Sequence, residues 1–537
     1  MTRYGFVIDQ RKCIGCHACT IACKSENQVP VGSFRTWVKY IEKGEFPNTR
    51  RFFTVERCQH CENAPCVAIC PTVALFKRTD GIVDFDSKRC IGCKSCMQAC
   101  PYDAIYIDPN THTAAKCHYC AHRTDRGLLP ACVIVCPVKA IIAGDLEDST
   151  SEIAQTLARE QVQVRRPDQG TRPQVFYVGA DETAITPGLA AQPSRYMWSE
   201  IGPSTMDLEP KGSLEDLARA VKAEVDAAPR RDETIPLTPT NKRASTTNAV
   251  TVYDVAHPKP WGWKVSGYLW TKSIGAGALA VAGPLLVLGQ GTGSLRIGAG
   301  LLAAIFTALT AGLLIWDLKR PDRFWRILAT PNFRSWLVWG SYILLLHGAL
   351  AGIWILAALL GIDAVPRALA WPALITGAAA AGYSAMLFGQ AEGRDFWQSP
   401  LLLPQLLGAG ALAGAASLTL LVSLVDSNND NLLTALTWIL LGGVLVTLGV
   451  VLTELYTLHA NKDVATAAAI IKRGPLARRF WLGYALVGVL LPVVVLLSVL
   501  AAGRPAWSSA LAALLALAGL WFYEDVWVRA GQSVAMS

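Results

Sequence analysis

The residues able to do chemistry in this 537-residue chain are its sixteen cysteines, all of which lie between Cys13 and Cys136. They form four groups of four: Cys13-x2-Cys16-x2-Cys19-x3-Cys23, Cys58-x2-Cys61-x4-Cys66-x3-Cys70, Cys90-x2-Cys93-x2-Cys96-x3-Cys100 and Cys117-x2-Cys120-x11-Cys132-x3-Cys136. Three thiolates two residues apart let a short loop wrap three corners of a cube, and the fourth follows where the loop has passed into a helix. At four thiolates per cubane, sixteen cysteines supply four [4Fe–4S] clusters with none left over. Pro71, Pro101 and Pro137 follow the last cysteine of three groups, and Lys24 follows that of the first. Zinc knuckles need two separated CxxC pairs per metal, which CxxCxxCxxxC does not provide. A disulfide framework belongs to small secreted domains, and cysteines two residues apart pair poorly. The pattern predicts a conductor of single electrons.

Charge agrees with that reading. Residues 1–145 hold 19 Lys and Arg against 13 Asp and Glu, a net +6. An oxidised cubane with four thiolates is formally dianionic, so four of them offset this excess. The chain's overall +8 is therefore no argument for a nucleic-acid partner, and none is expected.

The elements that must position this wire change character along the chain. Residues 1–250 are polar and mixed, and beyond about residue 265 long Ala/Leu/Gly/Val runs take over. Eight runs, roughly 266–289, 295–316, 334–360, 368–390, 400–425, 433–458, 480–502 and 506–528, are long enough to cross a bilayer. Soluble bundle helices would show polar faces at helical period, and these runs show almost none. The expected fold is an α+β double ferredoxin-like iron–sulfur domain (1–186), a linker with one short helix at 213–228 (187–262), and an all-α eight-helix transmembrane bundle (263–537).

An even number of spans puts the cluster domain and the C-terminus on one side. Twelve Lys and Arg edge the loops of that side, against Arg296, Arg367 and Arg504 on the other, which predicts the cytoplasmic side of the inner membrane. The start Met1-Thr2-Arg3-Tyr4 has no secretory or twin-arginine pattern, in keeping with this expectation.

The four cysteine groups, in this order and spacing, resemble the four-cluster electron-transfer subunits of complex iron–sulfur molybdoenzymes such as dimethyl sulfoxide and polysulfide reductases and formate dehydrogenases. Ala143–Asp148 and Gly170–Tyr177 resemble the tail of the same domain. The membrane half is similar to the polysulfide-reductase (NrfD-like) anchor in Asp317-Leu318-Lys319-Arg320-Pro321, Asn332–Trp336, Phe396–Pro400 and Ala530–Val534. The chain thus resembles a fusion of wire and anchor. The resemblance implies crosswise clusters: Cys13, Cys16, Cys19 with Cys136; Cys117, Cys120, Cys132 with Cys23; Cys58, Cys61, Cys66 with Cys100; and Cys90, Cys93, Cys96 with Cys70, the last nearest the membrane. It also implies a separate molybdenum or tungsten bis-pterin catalytic subunit.

A bis-histidine haem needs two histidines at one depth. Only His347 lies within a span, with His459 just past the sixth, so no haem is expected. The lipid-soluble partner implied for such anchors is a quinone, menaquinone or ubiquinone. Ionisable groups at the cluster-side membrane surface are the candidates to bind it: His257, Tyr268, Lys272, Asp317, Arg320, Glu392 and Arg394. His347 and Glu454 stand as proton-path candidates. The expected function links formate or sulfite oxidation to the quinone pool, ahead of polysulfide, thiosulfate or dimethyl sulfoxide reduction. The alternatives are a proton-translocating respiratory module and a hydrogenase partner.

Overall fold

The computed structural model describes residues 2–45, 47–191, 248–502 and 506–537. Among the described residues, the two larger sheets of the N-terminal part use β1 (Tyr4–Asp9), β2 (Thr36–Glu45), β3 (Asn48–Arg57), β4 (Ile141–Asp145), β5 (Val162–Gln163), β6 (Val175–Val178) and β7 (Ala249–Tyr253). In the first, ordered β4-β1-β6-β5, β1 runs parallel to β6 and antiparallel to β4. The run Phe6-Val7-Ile8 is wholly buried because both faces of this central strand are covered. Two small hairpins, Leu75–Lys77 with Val83–Phe85 and Ile105–Ile107 with Ala114–Lys116, follow the second and third cysteine groups.

The second sheet corrects the sequence reading. The stretch 187–262 reads as linker, yet Ala249–Tyr253 is a strand that pairs antiparallel with β2 in the order β7-β2-β3. Ala-Val-Thr-Val-Tyr is a β-forming run, and the free edge of β2 offers it a full ladder. The polypeptide therefore returns to the cluster domain before it enters the membrane. The helix expected at 213–228 lies outside the described residues.

Eight apolar helices follow, α1 (Trp263–Val287), α2 (Gly293–Asp317), α3 (Trp336–Leu359), α4 (Ala370–Gly389), α5 (Leu402–Val425), α6 (Asp430–Tyr456), α7 (Arg479–Ala502) and α8 (Ala506–Gly531). Their 20 to 27 residues span a bilayer at about 1.5 Å rise per residue. Side chains cap the starts of two of them: Thr292 Oγ1 accepts from Leu295 N at 3.2 Å in α2, and Asn429 Oδ1 from Leu432 N at 3.1 Å in α6. The first half of α7, Arg479–Leu490, is π-wound.

α1 is the hub, packed against α2, α4, α5 and α8, and it joins an α1–α4 group to an α5–α8 group. Small residues permit this closeness, since helix association within lipid depends on tight van der Waals packing. A Cβ on Gly277 of α1 would collide with the Gly410 carbonyl and lie 2.8 Å from the Gly414 nitrogen of α5. Gly277→Leu is therefore expected to part the two groups and cut the yield of monodisperse membrane protein about tenfold or more, well beyond ordinary overpacking. Size-exclusion chromatography of a fluorescently tagged protein measures this, and a wild-type profile would contradict the packing.

Candidate iron–sulfur and membrane-junction site

Left-handed turns set the cysteine loops. Gly15 and His17 flank Cys16, and Gly92 and Lys94 flank Cys93, with φ of 71°, 59°, 68° and 64°. Such turns curl successive N–H groups inward, as in anion-binding nests. At Gly92 glycine is needed twice over, because a Cβ would also sit 2.6 Å from Lys319 Cβ and 2.9 Å from the His112 carbonyl oxygen. Short helices then carry the later cysteines: Cys19 and Cys23 in Ala18–Asn27, Cys96 in Ser95–Ala99.

The cysteines gather across groups. A cavity of about 380 Å³ is lined by Cys70 with Cys90, Cys93 and Cys96. Another of about 310 Å³ has Cys100 with Cys58, Cys61 and Cys66, and a third of about 280 Å³ has Cys23 with Cys117, Cys120 and Cys132. Cys13 lies beside both Cys16 and Cys136, and Cys13, Cys19 and Cys136 share one core. All sixteen thiols are free.

The surroundings fit a four-iron, four-sulfur group. N–H groups of Gly92 and Ala114 each donate to Cys90 Sγ at 3.4 Å, and that of Ala140 to Cys136 Sγ at 3.2 Å. Such bonds and the surrounding charge set a cluster's potential. Burial pushes the Cys93 and Cys100 thiols up to about 12, so iron must supply the positive charge that makes them thiolates. Among the described residues no three His, Cys, Asp or Glu converge on a single metal ion.

The Cys70/Cys90/Cys93/Cys96 cavity adjoins the membrane helices. Arg323 donates to the Cys90 carbonyl at 3.1 Å, Asn332 Nδ2 to that of Cys70 at 2.8 Å, and Trp261 Nε1 to that of Cys93 at 3.5 Å. Lys94 pairs with Asp317 at the end of α2 at 2.8 Å, with side chains 6% and 16% exposed.

The sequence-predicted residues divide between this junction and the helix interior. Arg394 Nε donates to Gln98 Oε1 at 2.8 Å, and its guanidinium also reaches the carbonyls of Gln532 and Val534. Burial pulls the Arg394 guanidinium down to about 10, which leaves it cationic at neutral pH. Arg320 pairs with Asp322 at 2.8 Å while its N–H donates to the Ile91 carbonyl at 3.1 Å. Glu392 is exposed. Within α1, Tyr268 is buried, and Lys272 Nζ donates to the Ala381 carbonyl and Ser384 Oγ, both at 2.8 Å, over the Tyr383 ring. Lys272 does not snorkel. His347 is held between Thr376 Oγ1 and the Gly275 carbonyl, both at 3.2 Å, while Glu454 accepts from Tyr523 OH at 3.2 Å.

His257 belongs to the junction as well. Burial alone would pull its imidazole down, but Asp103 at 2.6 Å and Asp254 at 3.5 Å outweigh this and push it up to about 10. Its folded value lies above the unfolded one near 6.5. The stabilisation it brings is thus complete below about pH 6.5 and is lost as pH rises towards 10. His257→Gln is expected to flatten that part of the pH–stability profile. A thermal-melt difference between the two proteins that stays constant from pH 6 to 10 would contradict the ion pair.

Reading the sequence alone missed Lys94, Tyr383 and Glu524. Glu524 was open to detection, as a carboxylate within an apolar run. It lines a cavity of about 490 Å³ with Gln405, Thr447, Tyr484, Tyr523 and Trp527, and neither of its carboxylate oxygens has a hydrogen-bond partner.

Comparison with known proteins matches residues 251–535 to the family model "Polysulphide reductase, NrfD". Residues 6–71 and 49–146 match two models of the 4Fe-4S dicluster domain, which together support four [4Fe–4S] clusters. The chain is similar to one of the subunits of the tetrathionate reductase of Salmonella typhimurium, 47% identical over 204 residues, covering 37% of this chain and 81% of the relative. It is also similar to a component of the polysulfide reductase of Wolinella succinogenes, 42% identical over 181 residues (33% and 94%). Protein NrfC of Escherichia coli is 44% identical over 179 residues (33% and 80%).

Proposed function

From the premise that this protein belongs to the polysulphide reductase NrfD family and carries a four-cluster electron-transfer domain in the same polypeptide, we propose that it conducts electrons between a molybdenum or tungsten catalytic subunit and the membrane quinone pool. The clusters supply one-electron transfers when bound. In this reading their ligands are the four crosswise cysteine sets. The observation that carries the reading is the seating of the Cys70/Cys90/Cys93/Cys96 cavity on the membrane helices through Trp261, Arg323 and Asn332. Asp317, paired with Lys94 of that cluster loop, and Tyr268 and Lys272, buried in α1, are the residues we assign to the quinone. Lys272 would donate to a quinone oxygen, and Asp317 and Tyr268 would pass the proton that must accompany each electron. His257, Arg320 and Arg394 tie the two domains together, as Asp317 also does through Lys94.

The side of the membrane follows from charge, since the Lys- and Arg-rich loops face the cluster domain, and this favours the cytoplasm. That orientation favours an oxidation, of formate or sulfite, feeding the quinone. The relatives named for tetrathionate and polysulfide reduction supply the opposite direction as the competing case. Purification of the complex through this chain tests the reading. Molybdenum or tungsten with quinone-linked turnover supports it, and nickel or a cytochrome would contradict it.

A second reading, proton translocation, is favoured by the Glu524 cavity, because a buried carboxyl that accepts no hydrogen bond and feels the charge of Lys272 suits a group that takes up and releases protons. Proton uptake into proteoliposomes beyond that of quinone chemistry, lost in Glu524→Gln, would distinguish it.

A further inference from the structure

Arg57 ends β3, one residue before Cys58, and is fully buried. Its side chain lines the cavity of Cys23, Cys117, Cys120 and Cys132, with the guanidinium carbon 4.4 Å from the Phe6 ring centre. One nitrogen donates to Cys132 Sγ at 3.4 Å, while Nε and the other terminal nitrogen have no partner. No carboxylate among the described residues forms an ion pair with it. A buried cation without a counter-charge is strongly unfavourable, so the charge that balances Arg57 belongs to whatever fills the cavity. Arg35 lines the same cavity, and Asn27 Nδ2 lies 3.6 Å from Cys23 Sγ and 3.8 Å from Cys120 Sγ. The membrane-side cavity differs: of the cations beside it, Lys94 is neutralised by Asp317 and Arg323 is paired with Asp322, and Asp86 stands on the cavity wall.

We propose that Arg57, with Arg35 behind it, sets the reduction potential of the cluster held by Cys23, Cys117, Cys120 and Cys132, and raises it above that of the membrane-side cluster. A cluster that accepts one electron gains one negative charge. An unpaired guanidinium with free N–H donors favours the more anionic, reduced form, which is a higher potential. The step moves one electron, and no proton or ligand moves with it. An electron entering the wire would then rest at this station before the last stretch to the membrane. The inference rests on the crosswise ligand sets, and the iron content of the wild-type protein tests those separately.

The experiment is a reductive titration of the full chain in its complex, followed by electron spin resonance. Arg57→Gln, at sixteen irons per chain, is expected to lower one cluster's midpoint by a tenfold change in its reduction equilibrium, 59 mV for one electron, and to leave the membrane-side cluster in place. Asn27→Asp, which adds charge at the same cavity, identifies the signal by moving it in the same direction. If Arg57→Gln fails to retain its irons, Arg35→Gln gives the reading, with a smaller fall in that same signal. Unchanged midpoints in whichever variant holds its full iron would overturn the proposal.

Discussion

Replacing Cys93 with alanine is expected to stop quinone turnover while electron flow from the catalytic partner to an artificial dye continues. Cys93 sits in the loop held by Gly92 and Lys94 in left-handed conformation, and its carbonyl accepts from Trp261 Nε1 at 3.5 Å. It is one of three cysteines of its set, with Cys70 and Cys90, whose carbonyls are held from the membrane half. Removing one thiolate of four favours loss of one iron, and a three-iron cluster differs in potential and in spin resonance. In the proposed path this cluster is the last station before the quinone, so the path would be cut. The fall in quinone turnover should be about 100-fold or more, ~2.7 kcal/mol at about 1.4 kcal/mol per tenfold. Spin resonance showing an unaltered set of cubanes in the variant would remove Cys93 from the ligands.

Lys272→Met should weaken quinone binding without touching the clusters. Lys272 is a long amine side chain buried in α1, anchored by the Ala381 carbonyl and Ser384 Oγ and stacked over Tyr383. A methionine keeps the length and apolar packing, so loss of the donor is the main change. Leaving a buried quinone oxygen without its donor costs about 1–3 kcal/mol, so the quinone KM or the inhibitor Kd should rise roughly 5- to 150-fold. Dye-linked activity and the cluster spectra should stay as in the wild type. Unaltered inhibitor affinity would exclude Lys272 from the site and leave it a tie between α1 and α4.

How much of this could be read from the residues follows from the range of the forces involved. Cysteine spacing and the eight apolar runs were legible, because cluster-loop geometry and bilayer thickness both act over a few neighbouring residues. The fates of Arg394 and His257 were not. Each is a polar residue beside a span, and only folding brings Gln98 to the first and Asp103 to the second. β7 was hidden for a similar reason: its five residues follow a Pro-, Ser- and Thr-rich stretch, and the edge it joins lies some 200 positions earlier, at β2. Arg57 reads as an ordinary strand-end arginine until Phe6, Cys117 and Cys132 are gathered around it.

The same junction explains why wire and anchor work as one polypeptide. Lys94–Asp317, Arg394–Gln98 and His257–Asp103 each join a residue next to a cysteine group to one at the membrane surface. Two are charge pairs and Arg394–Gln98 is a charge-assisted hydrogen bond, and such contacts between mostly buried partners fix register more than they add stability. Register is what an electron path needs, since the last cluster must lie at a constant distance from its acceptor.

The most direct test is an anaerobic titration of the purified protein, with iron counted and the optical spectrum recorded before and after addition of a quinone. Sixteen irons, four reducing equivalents taken up, reoxidation by the quinone and no cytochrome bands are the predicted result. Fewer equivalents than four, or a haem spectrum from this polypeptide, would contradict it.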